Sequence, residues 1–258
     1  MARLSSLPQT CFILATVIGT VLPLGRPARA LQYNPPNRGA PSRTWDAGSR
    51  TGACGNLTAV QPTQTNWGET LQERPTFGIY VSEPAQNITF ELRQERTQEI
   101  VHQATFAQVD GPGISLYTLP ETAPALAANQ PYRWQISVEC AQFSTDNIEY
   151  TDSRQADGII FRRVASDELT ANLVATPETE HPALLAANGL WYDTIHALLL
   201  QQAVEPAEPD AWTQAWQTLL LHPMVQLNKL MDATLVECCL SEDATLSAVP
   251  QPCPTTTR

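Results

Sequence analysis

From Cys54 to Val164, apolar residues recur at every second position. Phe77, Ile79 and Val81 alternate with small or polar residues, and so do Ile88, Phe90 and Leu92. Ile100, Ala104 and Phe106 continue the pattern less cleanly, and Ile114 and Leu116 open a further run. The cleanest run sets Tyr132, Trp134, Ile136, Val138 and Cys140 against Arg133, Gln135, Ser137 and Glu139; Ile159 and Phe161 close the set. Such alternation predicts half-buried strands, because successive side chains point to opposite faces of a sheet. Turn chemistry lies between the runs, at Asp110-Gly111-Pro112-Gly113, Asn129-Gln130-Pro131 and Asp157-Gly158. Several short strands at this spacing predict an antiparallel β-sandwich over residues 54–164.

After Val164 the period changes to 3.6. Ser166 is placed to cap a short helix carrying Leu169 and Leu173. Pro182 suits a first helical turn, and Gly189 suits the end of that helix. Leu190 to Ala203 sets Trp191, Ile195, Leu198 and Leu199 on one stripe, which Pro206 and Pro209 interrupt. Asp210 is placed to cap the next helix, in which Trp212, Ala215, Trp216, Leu219 and Leu220 share a face. Pro223 is expected to start a last helix with Leu227, Leu230, Met231, Leu235 and Cys238, ending near residue 240. The tail over 241–258 is Pro- and Thr-rich and reads as loose. The fold class expected is therefore α+β: a sandwich followed by a helical region over 165–240.

Two local patterns carry resemblances. Leu126 and Tyr132, six residues apart at the mouth of the best strand, resemble the tyrosine corner of fibronectin type III and immunoglobulin-like sandwiches. The resemblance implies a Tyr132 hydroxyl bonded to backbone a few residues upstream. Gly189, Trp191, Thr194, Leu198 and Pro206 resemble the second half of a tetratricopeptide unit. One unit is too few for a free-standing array, so these helices need the sandwich or a partner to pack on.

The first thirty residues read as an address. Arg3 precedes the apolar run Cys11–Leu24, and Ala28-Arg29-Ala30 is an A-x-A cleavage signal. That run falls short of the roughly 20 residues a spanning helix needs, and no later segment is a candidate. The expectation is an exported protein, periplasmic or extracellular after cleavage near Ala30, with no transmembrane span in the mature chain. Retention of the leader as an anchor is the alternative. The formal charge of the chain is −11, and loss of Arg3, Arg26 and Arg29 takes it to −14. Such an acidic balance speaks against nucleic acid as a partner, since phosphate contacts need a Lys/Arg footprint. Residues 31–53, with Arg38, Arg43 and Arg50, form the only basic stretch. Rich in Pro, Gly and Arg, they read as a flexible arm.

Export changes the reading of the cysteines, for which pairing becomes the default. Cys54 and Cys140 are the best pair; a bridge would close a loop of about 87 residues and stabilise by roughly 3–5 kcal/mol. Cys238 or Cys239 is expected to join Cys253, leaving one thiol over. The spacing lacks the knuckle of a zinc site, so no metal is expected. His102, His181, His196 and His222 are scattered. Gly113-Ile114-Ser115 lacks the full nucleophile elbow, and no glycine-rich phosphate loop appears, so neither a catalytic constellation nor a cofactor site is recognisable. Trp191, Tyr192, Trp212 and Trp216 have two readings: helical core, or an aromatic concave face for a partner segment or a glycan.

Taken in order, Arg38-Gly39-Ala40-Pro41, Gly52 and Cys54, Arg74-Pro75-Thr76-Phe77, Pro112-Gly113-Ile114, Tyr132-Arg133-Trp134 with Cys140, and Gly189-Leu190-Trp191-Tyr192-Asp193 resemble the cyanobacterial domain of unknown function number 928. The resemblance runs from about Arg38 to about Leu240. It departs at Leu221-His222-Pro223, where a Gly-Leu step is expected. It implies an address and a shape rather than an activity. The expected function is a non-catalytic protein-binding or assembly factor of the periplasm or cell envelope. The alternative is a carbohydrate-binding or carbohydrate-processing envelope protein.

Overall fold

A computed structural model describes residues 31–37, 55–145, 148–203 and 209–237 of the chain. Strands β1 (Leu57–Ala59), β3 (Thr76–Val81), β6 (Gly113–Thr118) and β9 (Leu235–Glu237) form one sheet in the order β1-β3-β6-β9. Strands β2 (Trp67–Thr70), β8 (Ile148–Arg162), β7 (Pro131–Thr145), β4 (Ala85–Gln94) and β5 (Ile100–Val109) form the second, in the order β2-β8-β7-β4-β5. Four helices follow β8: α1 (Asp167–Ala175), α2 (His181–Ala187), α3 (Trp191–Ala203) and α4 (Pro209–Leu220). The protein is thus mixed α+β, with two sheets whose rings meet between them. Phe77 of β3 lies 5.0 Å from Phe90 of β4 and 5.3 Å from Trp134 of β7, and Phe90 lies 4.6 Å from Tyr117 of β6.

The period-two runs become β3, β4, β5, β6 and β7. The inward set Tyr132, Trp134, Ile136 and Val138 is buried. The alternation in β4 pairs in the same way: Ile88, Phe90 and Leu92 sit opposite Val138, Ile136 and Trp134. Ser166 caps α1 as expected, its hydroxyl accepting from the Leu169 amide at 3.2 Å. Gly189 ends the α2 turn at φ +73°, a conformation other residues adopt only with strain.

Several expectations need correction. Asp157-Gly158 is not a turn but the middle of β8, with Asp157 opposite Gln135 and Gly158 opposite Trp134. Glycine serves there because a Cβ would lie 2.7 Å from the Trp134 indole nitrogen. The sandwich is not wholly antiparallel: β2 pairs with β8, and β6 with β9, in parallel. The helix expected from Pro223 does not form. Gln226 takes φ +52°, the Leu227 amide turns back to the Leu220 carbonyl at 3.0 Å, and a short 3-10 turn over Asn228–Leu230 leads into β9. Leu227 and Leu230 are buried by this loop instead of by a helical stripe.

Leu31 and Tyr33, at the start of the expected flexible arm, are buried. The Asn34 amide donates to the Ala186 carbonyl at 3.0 Å and its side chain to the Ala187 carbonyl at 2.9 Å. One cluster of buried residues contains Tyr33, the inward faces of both sheets, and Trp191, Leu198, Trp216 and Leu220. Residues 38–54 and 238–258 lie outside the described residues, and with them the remainder of the arm and the tail. Among the described residues, no helix is long and apolar enough to cross a membrane.

Candidate functional site

Gly189 delivers Leu190 and then Trp191 to the start of α3, and the first turn of that helix locks onto the sheets. The Trp191 indole donates to the Val60 carbonyl at 2.9 Å. The Tyr192 hydroxyl accepts from the Trp134 indole at 2.6 Å and donates to the Ile159 carbonyl at 3.3 Å. Gly68 lies beneath both rings; a Cβ there would stand 2.6 Å from Tyr192 and 3.0 Å from Trp191. Tyr33 meets Trp191 edge-on at 5.3 Å. On α4, Trp216 is buried and donates to the Leu230 carbonyl at 3.1 Å, while half-buried Trp212 stacks on it at 5.7 Å and donates to the Leu198 carbonyl at 2.7 Å.

These placements remove three of the four rings from any open aromatic face. Trp191, Tyr192 and Trp216 each bury a large apolar surface and satisfy their polar atom inside the protein, the arrangement expected of core aromatics. Only Trp212 reaches solvent in part. Tyr132 accepts from the Ala127 amide at 3.0 Å, and Leu126 beside it is buried.

Asp193 sits in the same first turn, buried, accepting from the Leu71 amide at 3.2 Å. Burial pushes its carboxyl up to about 6, against the hydrogen bonds from Thr70, Leu71 and Gln72 that pull it down. The native state therefore holds a proton that the unfolded chain releases near pH 4. The stability linked to this proton is fully present below about pH 4 and is lost as pH rises through about 6. Asp193→Asn keeps an oxygen for the Leu71 amide and removes the charge. The variant is expected to exceed the native protein in stability by up to about 3 kcal/mol at pH 7.5, with the difference vanishing at pH 4. Urea unfolding at the two pH values measures it; an equal difference at both would refute the assignment.

A cleft of about 680 Å3 opens between β1, β8 and the loop that follows α4. Its walls carry the amides of Asn56, Gln61, Gln64, Gln155, Gln226 and Asn228, with hydroxyls from Thr58, Thr63 and Ser82. Half-buried Tyr80 adds apolar surface, and Leu227 and Leu230 lie buried behind the wall. Asp157, at one wall, is tied to the Arg133 guanidinium at 2.6 Å and to the Asn66 amide at 3.3 Å, and Arg133 reaches on to Glu95 at 2.9 Å. Burial pushes the Asp157 carboxyl up while Arg133 pulls it down. Gln61 is only 2% exposed; its amide nitrogen donates to the Ile159 carbonyl at 3.1 Å, and its oxygen has no hydrogen-bond partner.

The histidines serve the fold. His102 bonds the Tyr117 hydroxyl at 2.6 Å, His181 meets the carbonyls of Leu173 and Thr176 at 3.0 Å, and the His222 Nδ1 accepts from the Met224 amide at 3.2 Å. Burial holds His196 below the usual imidazole range. Among the described residues, no group of three His, Cys, Asp or Glu side chains converges as a metal site would. Cys54, Cys238, Cys239 and Cys253 lie outside the described residues. The pairing of Cys54 with Cys140, whose backbone belongs to β7, lies outside them too.

The cleft residues escaped the sequence reading because Asn and Gln form no chemical motif. The available signal was local: amides crowd the stretch Gln61–Asn66 and again Gln226–Asn228. Their meeting depends on the loop that replaces the expected last helix.

The described fold defines a two-sheet α+β protein with helices packed into the same core and a polar cleft as its candidate site. The chain belongs to the family Domain of Unknown Function (DUF928), whose model matches residues 38–235. A search of the curated proteins found no match.

Proposed function

We propose that this is an exported, non-catalytic binding module of the cell envelope, and that the cleft is where it holds its ligand. The observation that carries the reading is the wall chemistry of the cleft. Amides and hydroxyls hold a ligand by hydrogen bonds, while the one carboxylate, Asp157, is engaged by Arg133 and Asn66. Proton transfer needs a titratable group free to meet substrate; among the described lining residues Asp157 is committed elsewhere, which leaves Tyr80 and Lys229 without a carboxylate to work with. Export rests on the leader: the apolar run Cys11–Leu24 and the cleavage signal at Ala30. Packing of Leu31 and Tyr33 fits a mature chain that starts near residue 31.

The sandwich reading as fibronectin III or immunoglobulin-like draws support from the Tyr132 bond to upstream backbone, and the tetratricopeptide-like reading from Gly189 and the buried Thr194 at the α2–α3 turn. A protein partner, as an assembly factor would require, is favoured by β5. Among the described residues this ten-residue strand pairs on one side only, with β4, and it contains no charged residue and no proline. Strands without charges or proline are templates for another chain, and here a bulge at Val101 confines the regular edge to the stretch after it. The experiment that tests the binding-module reading is capture in intact cells by a photo-crosslinker placed at Asn228 in the cleft. A defined envelope adduct is expected.

A further inference from the structure

We infer that the cleft takes a neutral, hydroxyl-rich ligand, a short stretch of uncharged glycan; the inference rests on the reading of the cleft as a binding site. Four observations converge. The volume of about 680 Å3 lies within the range of small-molecule sites. Amide side chains each donate and accept, which matches a sugar hydroxyl that does both. Charge is nearly absent from the walls: Asp157 is paired by Arg133, and Lys229 is the one cation. An anionic ligand such as a phosphate finds too little positive charge here, and a cationic one finds no free carboxylate.

The fourth observation is Gln61. Its side-chain oxygen is buried in the wall without a hydrogen-bond partner, while its nitrogen is held by Ile159. A buried acceptor without a donor is costly, and because this oxygen is closed to solvent a ligand hydroxyl satisfies it only with a shift of the Gln61 side chain. Half-buried Tyr80 supplies apolar surface for the C–H face of a sugar ring. A peptide is less well served. It would need a strand edge to pair with, and β1, the edge strand in the cleft wall, has only three residues.

The test is titration calorimetry of the purified exported protein against a panel of neutral oligosaccharides built on glucose, mannose and N-acetylglucosamine. Acidic and sulfated oligosaccharides serve as comparators. Binding to at least one neutral member is expected, weakened about tenfold in the double variant Gln155→Ala/Asn228→Ala. Both positions are exposed, so the double variant is expected to keep its thermal midpoint. A single variant, Gln61→Leu, is expected to weaken binding by removing the buried acceptor, and a native thermal midpoint shows that it has folded. Absence of binding across the neutral panel overturns the inference, as does tighter binding of the acidic members or equal binding by the double variant. If the Asn228 photo-crosslinker captures a protein while every neutral glycan fails, the glycan inference falls and the binding-module reading stands. If neither binds, both fall.

Discussion

Replacement of Trp191 by alanine is expected to cost about 3–5 kcal/mol of stability, the range for removing a fully buried large aromatic side chain. The cost is expected at the top of that range because the ring does three jobs. It fills the space above Gly68, it takes the edge of Tyr33 at 5.3 Å, and its indole satisfies the Val60 carbonyl. Its neighbour Tyr192 is bonded to Trp134 in the opposite wall, so a collapse at position 191 reaches the centre of the sandwich. Helical and sheet signals are therefore expected to fall in one transition, in both the native protein and the variant. Denaturant unfolding followed by far-ultraviolet circular dichroism for the helices, and by hydrogen exchange of the β4 and β7 amides for the sheets, measures both points. A helical signal lost well before the protection of those strands would show two independent units and refute the shared core. Trp191→Phe keeps most of the ring but strands the Val60 carbonyl, and is expected to cost about 1–3 kcal/mol.

The second large effect is at Tyr33, in a segment that composition alone reads as flexible. Its ring is buried against Trp191 and His222, and Asn34 next to it is pinned to the end of α2. Tyr33→Ala is expected to destabilise by about 3–5 kcal/mol. Tyr33→Phe is expected to do the opposite, raising stability by about 1 kcal/mol. The hydroxyl it removes is buried with no hydrogen-bond partner, and its deprotonation is opposed first by burial and then by the nearby charge of Glu69. Thermal unfolding of the two variants decides the matter. Two neutral substitutions would mean that residues 31–37 only rest on the surface.

The strands were readable where the alternation is strong, because a period of two leaves one face to bury. β1 and β2 were not readable: Leu57–Ala59 and Trp67–Thr70 are three and four residues long, too short for a period to show. Asp157-Gly158 misleads because the same dipeptide serves a turn and a place where a strand must clear an indole. Gln226 carries no mark in sequence of its left-handed backbone, so the apolar residues that follow read as a helix. The aromatic residues of α3 and α4 stand out in the sequence, but a stripe of rings does not reveal which way it faces. Tertiary contacts decide it, and here Val60, Trp134 and Leu230 turn Trp191, Tyr192 and Trp216 inward. The cleft stayed out of sight for a related reason. Gln61, Gln155 and Asn228 come from a loop, a strand and a turn far apart in the chain, and only the fold assembles them.

The measurement that bears most directly on the account is photo-crosslinking from the cleft in intact cells. A benzophenone amino acid is placed at Asn228 and, as control, at Val174, an exposed position on α1 away from the cleft. After irradiation, the envelope fraction is recovered and the attached species are identified by mass spectrometry. The account predicts a discrete envelope adduct from position 228 that position 174 does not give. The same products from both positions, or none from position 228, would contradict the claim that the cleft is where this protein meets its ligand.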